Sequence, residues 1–202
     1  MGKLIAVVGN TGVGKTTFVR ALAATAPFVT GLEQHTERPF QALFAHDPRY
    51  ALPNQIDYFL LRAEQERLLR HDPRPALVDG GLDVDFYGFT HLFHARGYLS
   101  DAEFDLCRRL YETLRACLPP PDLVIHLTAP PDVIAGRLAR RDRINIARPE
   151  DLTLLASLLD RYLATLDPDR IIRLDASTED PTCATILPQA LAAIHRKLGD
   201  VP

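Results

Sequence analysis

The sequence predicts an α/β protein of three layers, in which a five-stranded parallel sheet is covered by helices on both faces. Short apolar runs alternate with longer segments of helical periodicity. A glycine-rich turn joins the first apolar run to the first helical segment, and no internal repeat interrupts the alternation. Strands that are separated by helices run parallel, because a crossover helix returns the chain to the same end of the sheet.

The expected strands are four short apolar runs and one weaker run, at residues 3–8, 76–78, 123–127, 170–174 and, weakly, 28–30. The expected helices have apolar residues at helical spacing or begin at a proline, at residues 16–24, 53–70, 100–117, from 131 onward, and from 181 to about 198. Ser100 is a suitable N-cap because Asp101 and Glu103 follow it in the first turn. Prolines at 119–121 end that helix.

Composition and charge set limits on the function. With 202 residues, 47% of them hydrophobic, the chain suits one domain spanning 1–202 with a real core. The net charge of −3 gives no basic footprint for nucleic acid or an anionic membrane, so we expect neither partner. Three cysteines form no CxxC pair, and no leader or membrane span is visible. We therefore expect reduced, buried or partly buried thiols and a cytoplasmic location.

A phosphate-binding loop follows the first strand. Residues 9–17 read GNTGVGKTT and fit the pattern G-x-x-x-x-G-K-[ST] in its strand, loop, helix context. Backbone N–H groups of such a loop surround a polyphosphate at a helix N-terminus. The expected nucleotide-binding residues are Gly9, Asn10, Thr11, Gly12, Val13, Gly14, Lys15, Thr16 and Thr17. Lys15 is expected to reach the β- and γ-phosphates of ATP, and the Thr16 hydroxyl to bind Mg²⁺.

Two further positions suit phosphoryl transfer. Asp79 follows the strand at 76–78, where a carboxylate beside the phosphate loop can orient Mg²⁺ or accept a proton from an attacking hydroxyl. An arginine cluster, Arg137, Arg140, Arg141 and Arg143, leads into a segment at about 140–149 that we interpret as a lid. Arginines that close over a transferring phosphoryl group stabilise its charge, and a lid excludes water.

A longer segment, EQHTERPFQALFAHDPRYALPNQIDYFLLR at residues 33–62, resembles the deoxynucleoside kinases. The family has E-P-V, then P-[FY]-L, F-Y-x-D-P-x-R-Y-A-F-x-x-Q and R in this order, and the likeness extends from the phosphate loop to about Leu166. Arg137, Arg141 and Arg143 match the family's R-x-x-x-R-x-R lid spacing. Independently of the family, Gln55 and Arg62 are seven residues apart and share one face of a helix.

The resemblance implies roles for the matching residues. Glu33 would contact the 5′-hydroxyl of a nucleoside, while Gln55, Arg62 and Asp85 would read the base. Phe89 would line the base pocket, and Phe44 occupies the position of a tyrosine that holds the sugar. Asp79, Lys15, Arg137, Arg141 and Arg143 would be catalytic, with Thr16 and Asp79 at the metal. The resemblance also implies a homodimer formed through the two long helices.

Four positions depart from the family pattern. Gly80 and Gly81 replace an Arg-Ser pair, so an arginine near the phosphates is missing. Phe44 lacks the tyrosine hydroxyl, and Ile146 stands where the lid glutamate is expected, although Glu150 could replace it in a longer lid. Asn54 replaces a bulky residue. Because Phe44 and the lid glutamate together concern the 3′-hydroxyl of the sugar, we expect either a changed substrate or none.

The expected activity is ATP-dependent phosphorylation of a nucleoside 5′-hydroxyl. Two alternatives stay open. A nucleoside monophosphate kinase of the thymidylate type would need a basic site for the acceptor's phosphate, for which Arg38 and Arg62 are the candidates. A nucleotide-binding module without catalysis would account for Gly80, Phe44 and Ile146, but the intact Lys15 and Asp79 argue against it.

Overall fold

The computed structural model of the protein describes residues 2–31, 38–140 and 148–199. Its centre is a sheet of five parallel strands in the order β2-β3-β1-β4-β5. The strands are β1 (Leu4–Val8), β2 (Val29–Gly31), β3 (Ala76–Asp79), β4 (Leu123–Thr128) and β5 (Ile171–Asp175). The predicted five-stranded parallel sheet is confirmed, including the weak strand at its edge.

Helices connect the strands of the described chain. They are α1 (Lys15–Ala23), α2 (Pro39–His46), α3 (Ala51–Leu69), α4 (Leu82–Val84), α5 (His91–Ala95), α6 (Asp101–Cys117), α7 (Pro131–Ala139), α8 (Leu152–Leu163) and α9 (Leu187–Leu198). A π-helical turn, Asp85–Thr90, joins α4 to α5, and short 3₁₀ turns occupy Pro48–Tyr50, Pro149–Asp151 and Pro168–Arg170. Ser100 and Glu103 form a complete capping box at the start of α6, as the sequence predicts.

The apolar side chains of the central strand divide between two cores. Leu4, Ala6 and Val8 face the core formed mainly with α3, α6 and α8, whereas Ile5 and Val7 face the core formed with α1 and α9. All five residues of β1 are buried. This is why the strand reads as a continuous apolar run, as parallel strands covered on both faces do.

The register of the sheet brings the chemically important residues to one edge. Val7 of β1 lies opposite Asp79 of β3, and Val8 lies opposite His126 of β4. Gly9 follows Val8 directly, so the phosphate loop begins beside the end of β3. Ligands of open α/β sheets bind at this carboxyl edge.

Two expectations are corrected. The last helix begins at Leu187 and not at Pro181, because the Asp180 carboxylate accepts from the N–H groups of Thr182 and Ala184 and holds a turn there. Cys117 is exposed, while Cys107 and Cys183 are buried; all three are free thiols. Among the described helices, none combines the length and the apolar character needed to cross a membrane.

Candidate active site

A cavity of about 840 Å³ opens at the carboxyl edge of the sheet. On one side it is bounded by the phosphate loop and by residues that follow β5, and on the other by α3, the π-helical turn and α8. Asp79 and Gly80 lie between the two sides. One continuous space therefore reaches from the phosphate loop to the side chains of Gln55, Arg62 and Asp85.

The phosphate loop packs so closely on β4 that its first position requires glycine. Gly9 has a φ of 149°, and a Cβ placed on it would lie 2.5 Å from the carbonyl oxygen of Leu127. Asn10 fixes the loop on its other side, since its Nδ2 donates to the carbonyl of Leu152 at 2.8 Å and its Oδ1 accepts from the N–H of Thr11. The loop is thus held between β4 and α8.

Lys15 turns its ammonium group back into the loop. Its Nζ donates to the carbonyls of Gly9 and Asn10, at 3.0 Å each. Lys15 lines the cavity together with Gly9, Thr11, Gly12, Val13, Gly14, Thr16 and Thr17. The predicted nucleotide loop is therefore assembled around the cavity, with its positive charge inside the ring of backbone groups.

Asp79 and Thr16 meet at the centre of the site. The Thr16 hydroxyl donates to Oδ2 of Asp79, while Oδ1 of Asp79 is buried and has no hydrogen-bond partner among the described residues. Asp79 as a whole is 1% exposed. A hydroxyl and a carboxylate with a spare oxygen fit Mg²⁺, which takes oxygen ligands, often one or two from protein and the rest from phosphates and water.

The three residues predicted to read the base lie together on the other side of the cavity. Nε of Arg62 donates to Oδ2 of Asp85 at 3.0 Å, and both side chains are almost fully buried. Nε2 of Gln55 donates to the backbone carbonyl of Asp85 at 3.0 Å and to Oγ1 of Thr90 at 2.7 Å. Phe89 also lines this part of the cavity.

The orientation of the Gln55 amide follows from these partners. The carbonyl of Asp85 can only accept hydrogen bonds, and the Thr90 hydroxyl donates to the same carbonyl at 2.9 Å. The amide group that faces both must therefore be the NH₂. Both of its hydrogens are used, so Gln55 can offer the cavity only its acceptor, Oε1.

Phe44 does not lie where the resemblance implies a substrate contact. It is not among the residues that line the cavity; its ring packs against Phe93, with centroids 4.8 Å apart, and against Tyr98 at 5.8 Å. Gln41, on the preceding turn of α2, lines the cavity instead. Without a hydroxyl to bring toward water or ligand, an aromatic ring is most stable in the apolar core.

Arg137, which is expected to be catalytic, lines the cavity and donates hydrogen bonds to main-chain carbonyls. Its Nη1 donates to the carbonyl of Val13 at 2.9 Å, and its Nη2 donates to the carbonyls of Ala176, Ser177 and Thr178. The guanidinium thus connects the phosphate loop to the chain after β5. This arrangement gives it a bracing role at the cavity wall.

The two glycines after Asp79 turn the chain in a way other residues resist. Gly80 has a φ of 80° and Gly81 a φ of 102°, both in the range that L side chains rarely adopt. A Cβ on Gly80 would lie 3.8 Å from Nη2 of Arg62. The replacement of Arg-Ser by Gly-Gly therefore goes with a particular backbone turn, which leaves the Arg62 guanidinium next to this position.

Several predicted residues lie outside the described chain or away from the cavity. Glu33, Arg141, Arg143 and Ile146 are outside the described residues, so their roles stay predictions. Glu150 does not line the cavity; its side chain is 58% exposed near Arg148, and its carbonyl accepts from Arg96.

Sequence reasoning missed two groups of residues. Asp83 accepts from the Tyr111 hydroxyl at 2.7 Å and from Nε of Arg115 at 2.9 Å, and Arg115 also binds Glu66 of α3. Burial, and after it the Asp83 carboxylate, raises the pKa of Tyr111. This buried network fixes the segment that carries Asp79 and Asp85 against α3 and α6. No local pattern in the sequence predicts the network.

The second missed group follows β5 and forms the wall beyond the phosphate loop. Its lining residues are Asp175, Ala176, Thr178, Glu179, Asp180, Pro181, Cys183, Thr185 and Ile186. Burial raises the pKa of the Cys183 thiol, which keeps it neutral. The position of this segment after a parallel strand was the available signal, since loops at that edge of the sheet carry ligands.

Comparison with known proteins identifies a family for this chain. The family model described as deoxynucleoside kinase matches residues 5–183. The chain is 27% identical over 143 residues to a deoxyadenosine/deoxycytidine kinase of Bacillus subtilis (strain 168), which is 69% of this chain and 66% of the relative. It is also 27% identical over 162 residues to a deoxyadenosine kinase of Dictyostelium discoideum, covering 80% of this chain and 65% of that one. The matches thus span just under two thirds of both relatives.

Solved structures share the fold. A deoxyadenosine kinase from M. mycoides, with products dCMP and a flexible dCDP bound, superposes with a TM-score of 0.82 at 18% identity, over 96% of this chain and 99% of that one. The same enzyme with bound dATP gives a TM-score of 0.79 at 18% identity, over 94% and 99%. The family model matches residues 5–183, which is well over half of the chain. The chain therefore belongs to the deoxynucleoside kinase family.

Proposed function

We propose that this protein transfers the γ-phosphoryl group of ATP to the 5′-hydroxyl of a deoxynucleoside. The observation that carries the proposal is the continuous cavity between the phosphate loop and the Gln55, Arg62 and Asp85 cluster. Phosphoryl transfer needs donor and acceptor in line with little covalent help from the protein. A single cavity with a polyphosphate loop at one end and a base-reading cluster at the other meets that need.

In the proposed mechanism the residues at the centre position the reacting groups. The loop N–H groups and Lys15 hold the β- and γ-phosphates, and the buried Asp79 accepts the proton of the 5′-hydroxyl or orients its attack. Thr16 and Asp79 would hold Mg²⁺, which neutralises charge on the phosphates when bound. Glu33 is proposed to hold the 5′-hydroxyl, and Arg141 and Arg143 to close over the phosphates from the lid.

The geometry disfavours a nucleoside monophosphate as acceptor. Such a substrate brings a second phosphate that needs an available cation near α3. Arg38 instead forms a two-point ion pair with Asp57, and this hydrogen bonding raises the pKa of Arg38. Arg62 is paired with Asp85. Both candidate arginines thus already face a carboxylate.

The fixed amide of Gln55 predicts a preference for bases that carry an exocyclic amine. Adenine and cytosine donate from such an amine, whereas thymine presents a carbonyl oxygen there, which would face Oε1 of Gln55 acceptor to acceptor. We expect kcat/KM for deoxyadenosine or deoxycytidine to exceed that for thymidine by at least about tenfold. The measurement is an ATP- and Mg²⁺-dependent assay over deoxyribonucleosides, ribonucleosides and nucleoside monophosphates, with products separated by mass.

A variant isolates the cause of this preference. Thr90→Val keeps the shape of the side chain but removes one of the two acceptors that hold the Gln55 amide, so the ratio between deoxyadenosine and thymidine should fall. A 5′-monophosphate product supports the kinase proposal whichever base is preferred. No product across the panel, with ATP still bound, would instead support a nucleotide-binding module.

We also propose that the protein forms a homodimer through α3 and α6. Leu60 and Leu68 of α3 are 55% and 57% exposed, and Leu106 of α6 is 39% exposed. Leu60 and Leu68 are eight residues apart and share a helix face. Exposed leucines on two adjacent helices suit a self-complementary apolar contact, as two-fold dimers use.

Sedimentation tests the dimer. The parent should sediment at twice the 22.5 kDa of one chain. Leu60→Glu combined with Leu68→Glu should give the single-chain mass, because two charges would be buried against their own copies. Leu43→Glu on α2, where the leucine is 42% exposed, is the matched control and should keep the parent mass. A parent that sediments as a single chain at tens of micromolar contradicts the proposal.

The free cysteines are consistent with a cytoplasmic location, which we retain as part of the proposal.

A further inference from the structure

Asn54 lines the cavity with a buried side-chain amide that has no hydrogen-bond partner in the described part of the chain. The residue is 1% exposed, and neither its Nδ2 nor its Oδ1 has a partner among the described residues. Its neighbour Gln55 is also buried but has both amide hydrogens bonded. Buried polar groups almost always have partners, and an unpaired one opposes folding. A residue with this cost at the wall of a cavity is explained if a ligand supplies the missing partner.

We propose that Asn54 binds the 3′-hydroxyl of the deoxynucleoside and thereby determines specificity for the sugar; this inference rests on the proposed function. The polar groups of a 2′-deoxynucleoside are the base edge, the 5′-hydroxyl, the 3′-hydroxyl and the ring oxygen of the sugar, and this ring oxygen can only accept. In the proposed function, Gln55, Arg62 and Asp85 bind the base edge, and the 5′-hydroxyl must reach Asp79 to accept the phosphoryl group. The 3′-hydroxyl is the remaining group that can both donate and accept.

The placement of Asn54 on α3 agrees with a contact to the sugar. A step of one residue along a helix turns the side chain by about 100°. Asn54 therefore leaves α3 in a different direction from Gln55. Both residues still line the same cavity, so a contact of Asn54 with the sugar and of Gln55 with the base suits their two directions.

The chemistry of the two groups also matches. A hydroxyl can donate and accept, so it can bond either to Oδ1 or to Nδ2 of the amide. Two other candidates for this contact are unsuitable in the described structure. Phe44 has no hydroxyl and packs against Phe93 and Tyr98, and Glu150 is exposed away from the cavity.

The test compares two substrates that differ by the 3′-hydroxyl alone. With the better of deoxyadenosine and deoxycytidine, kcat/KM is measured for the 2′-deoxynucleoside and for its 2′,3′-dideoxy counterpart, in the parent and in Asn54→Leu. In the parent, kcat/KM for the 2′-deoxynucleoside should exceed that for the dideoxy counterpart about tenfold. In Asn54→Leu the two values should be about equal. Gln189→Leu, which removes an exposed amide from α9, is the control and should keep the parent ratio.

A stability measurement separates binding from a structural role. Without substrate, Asn54→Leu should melt at the parent temperature or above it, because an apolar side chain of similar volume replaces an unpaired buried amide. A lower melting temperature together with equal losses for both substrates would show a structural role and overturn the inference. An unchanged 3′-hydroxyl preference in an active Asn54→Leu would also overturn it. If the parent phosphorylates no nucleoside, the proposed function fails first and the inference fails with it.

Discussion

Replacing Lys15 by alanine is expected to lower kcat/KM for phosphoryl transfer about a thousandfold. Lys15 brings a positive charge into the phosphate loop, where its Nζ now bonds to the carbonyls of Gly9 and Asn10. In the transition state of the transfer, charge spreads over the oxygens of the γ-phosphoryl group. A fixed ammonium group in a site that excludes water stabilises that charge. Alanine removes the charge without disturbing the helix, since it is the best helix former.

The measurement is steady-state phosphorylation of deoxyadenosine and deoxycytidine, with circular dichroism to verify the fold. Lys3→Ala is the matched control. Lys3 is 56% exposed and pairs with Asp122 at the surface, and such pairs contribute little to stability. Lys3→Ala should therefore keep the parent kcat/KM. If Lys15→Ala and Lys3→Ala were equally active, the phosphate loop would not hold the reacting phosphates.

Asp79→Asn should reduce kcat by about a thousandfold while ATP binding remains. Asparagine has nearly the same shape and can still accept the hydrogen bond from Thr16, so the junction between β3 and the phosphate loop is kept. What disappears is the negative charge beside the spare oxygen Oδ1. Without that charge the side chain neither takes the proton of the 5′-hydroxyl nor orients a magnesium ion.

Two measurements on the same variant identify the role of Asp79. Calorimetry with ATP reports nucleotide binding, and rapid-mixing assays report turnover of the bound nucleotide. Asp105→Asn on α6 is the matched control, because Asp105 is 49% exposed and pairs with Arg108 and Arg109 far from the loop. Equal turnover in Asp79→Asn and the parent would remove Asp79 from the chemistry and make it a structural partner of Thr16.

The fold can be predicted from the sequence because local signals and tertiary packing agree. The apolar run ending at Val8, the glycine loop and the helix after Lys15 form a unit whose parts each favour the same structure. The capping box at Ser100 and Glu103 likewise fixes the start of α6 from four residues. The sequence alone places the start of α9 at Pro181 and not at Leu187, because the Asp180 turn competes locally with the helix that Pro181 would allow.

The site can be predicted from the sequence only in part. The motif and the family resemblance identified Lys15, Thr16, Asp79, Gln55, Arg62 and Asp85, and the structure brings these together around one cavity. Phe44 packs in the core against Phe93 and Tyr98, whereas Arg137 lines the cavity and donates to main-chain carbonyls there, so its catalytic role stays a prediction. A residue type and a spacing determine where a side chain starts. They do not determine which neighbours the side chain bonds to or packs against in the folded structure.

By itself, the sequence determined the sheet, the phosphate loop and the family, because these depend on short-range patterns of apolar residues, glycines and charges. Only the tertiary structure decided the direction of the Gln55 amide, the isolation of Asn54 and the network around Asp83. Each of these depends on hydrogen-bond partners 28 to 35 residues away, or on finding none among the described residues. Hydrogen bonds depend on which groups are close in the folded structure. Partners that are distant along the chain therefore leave no local pattern in the sequence from which they could be predicted.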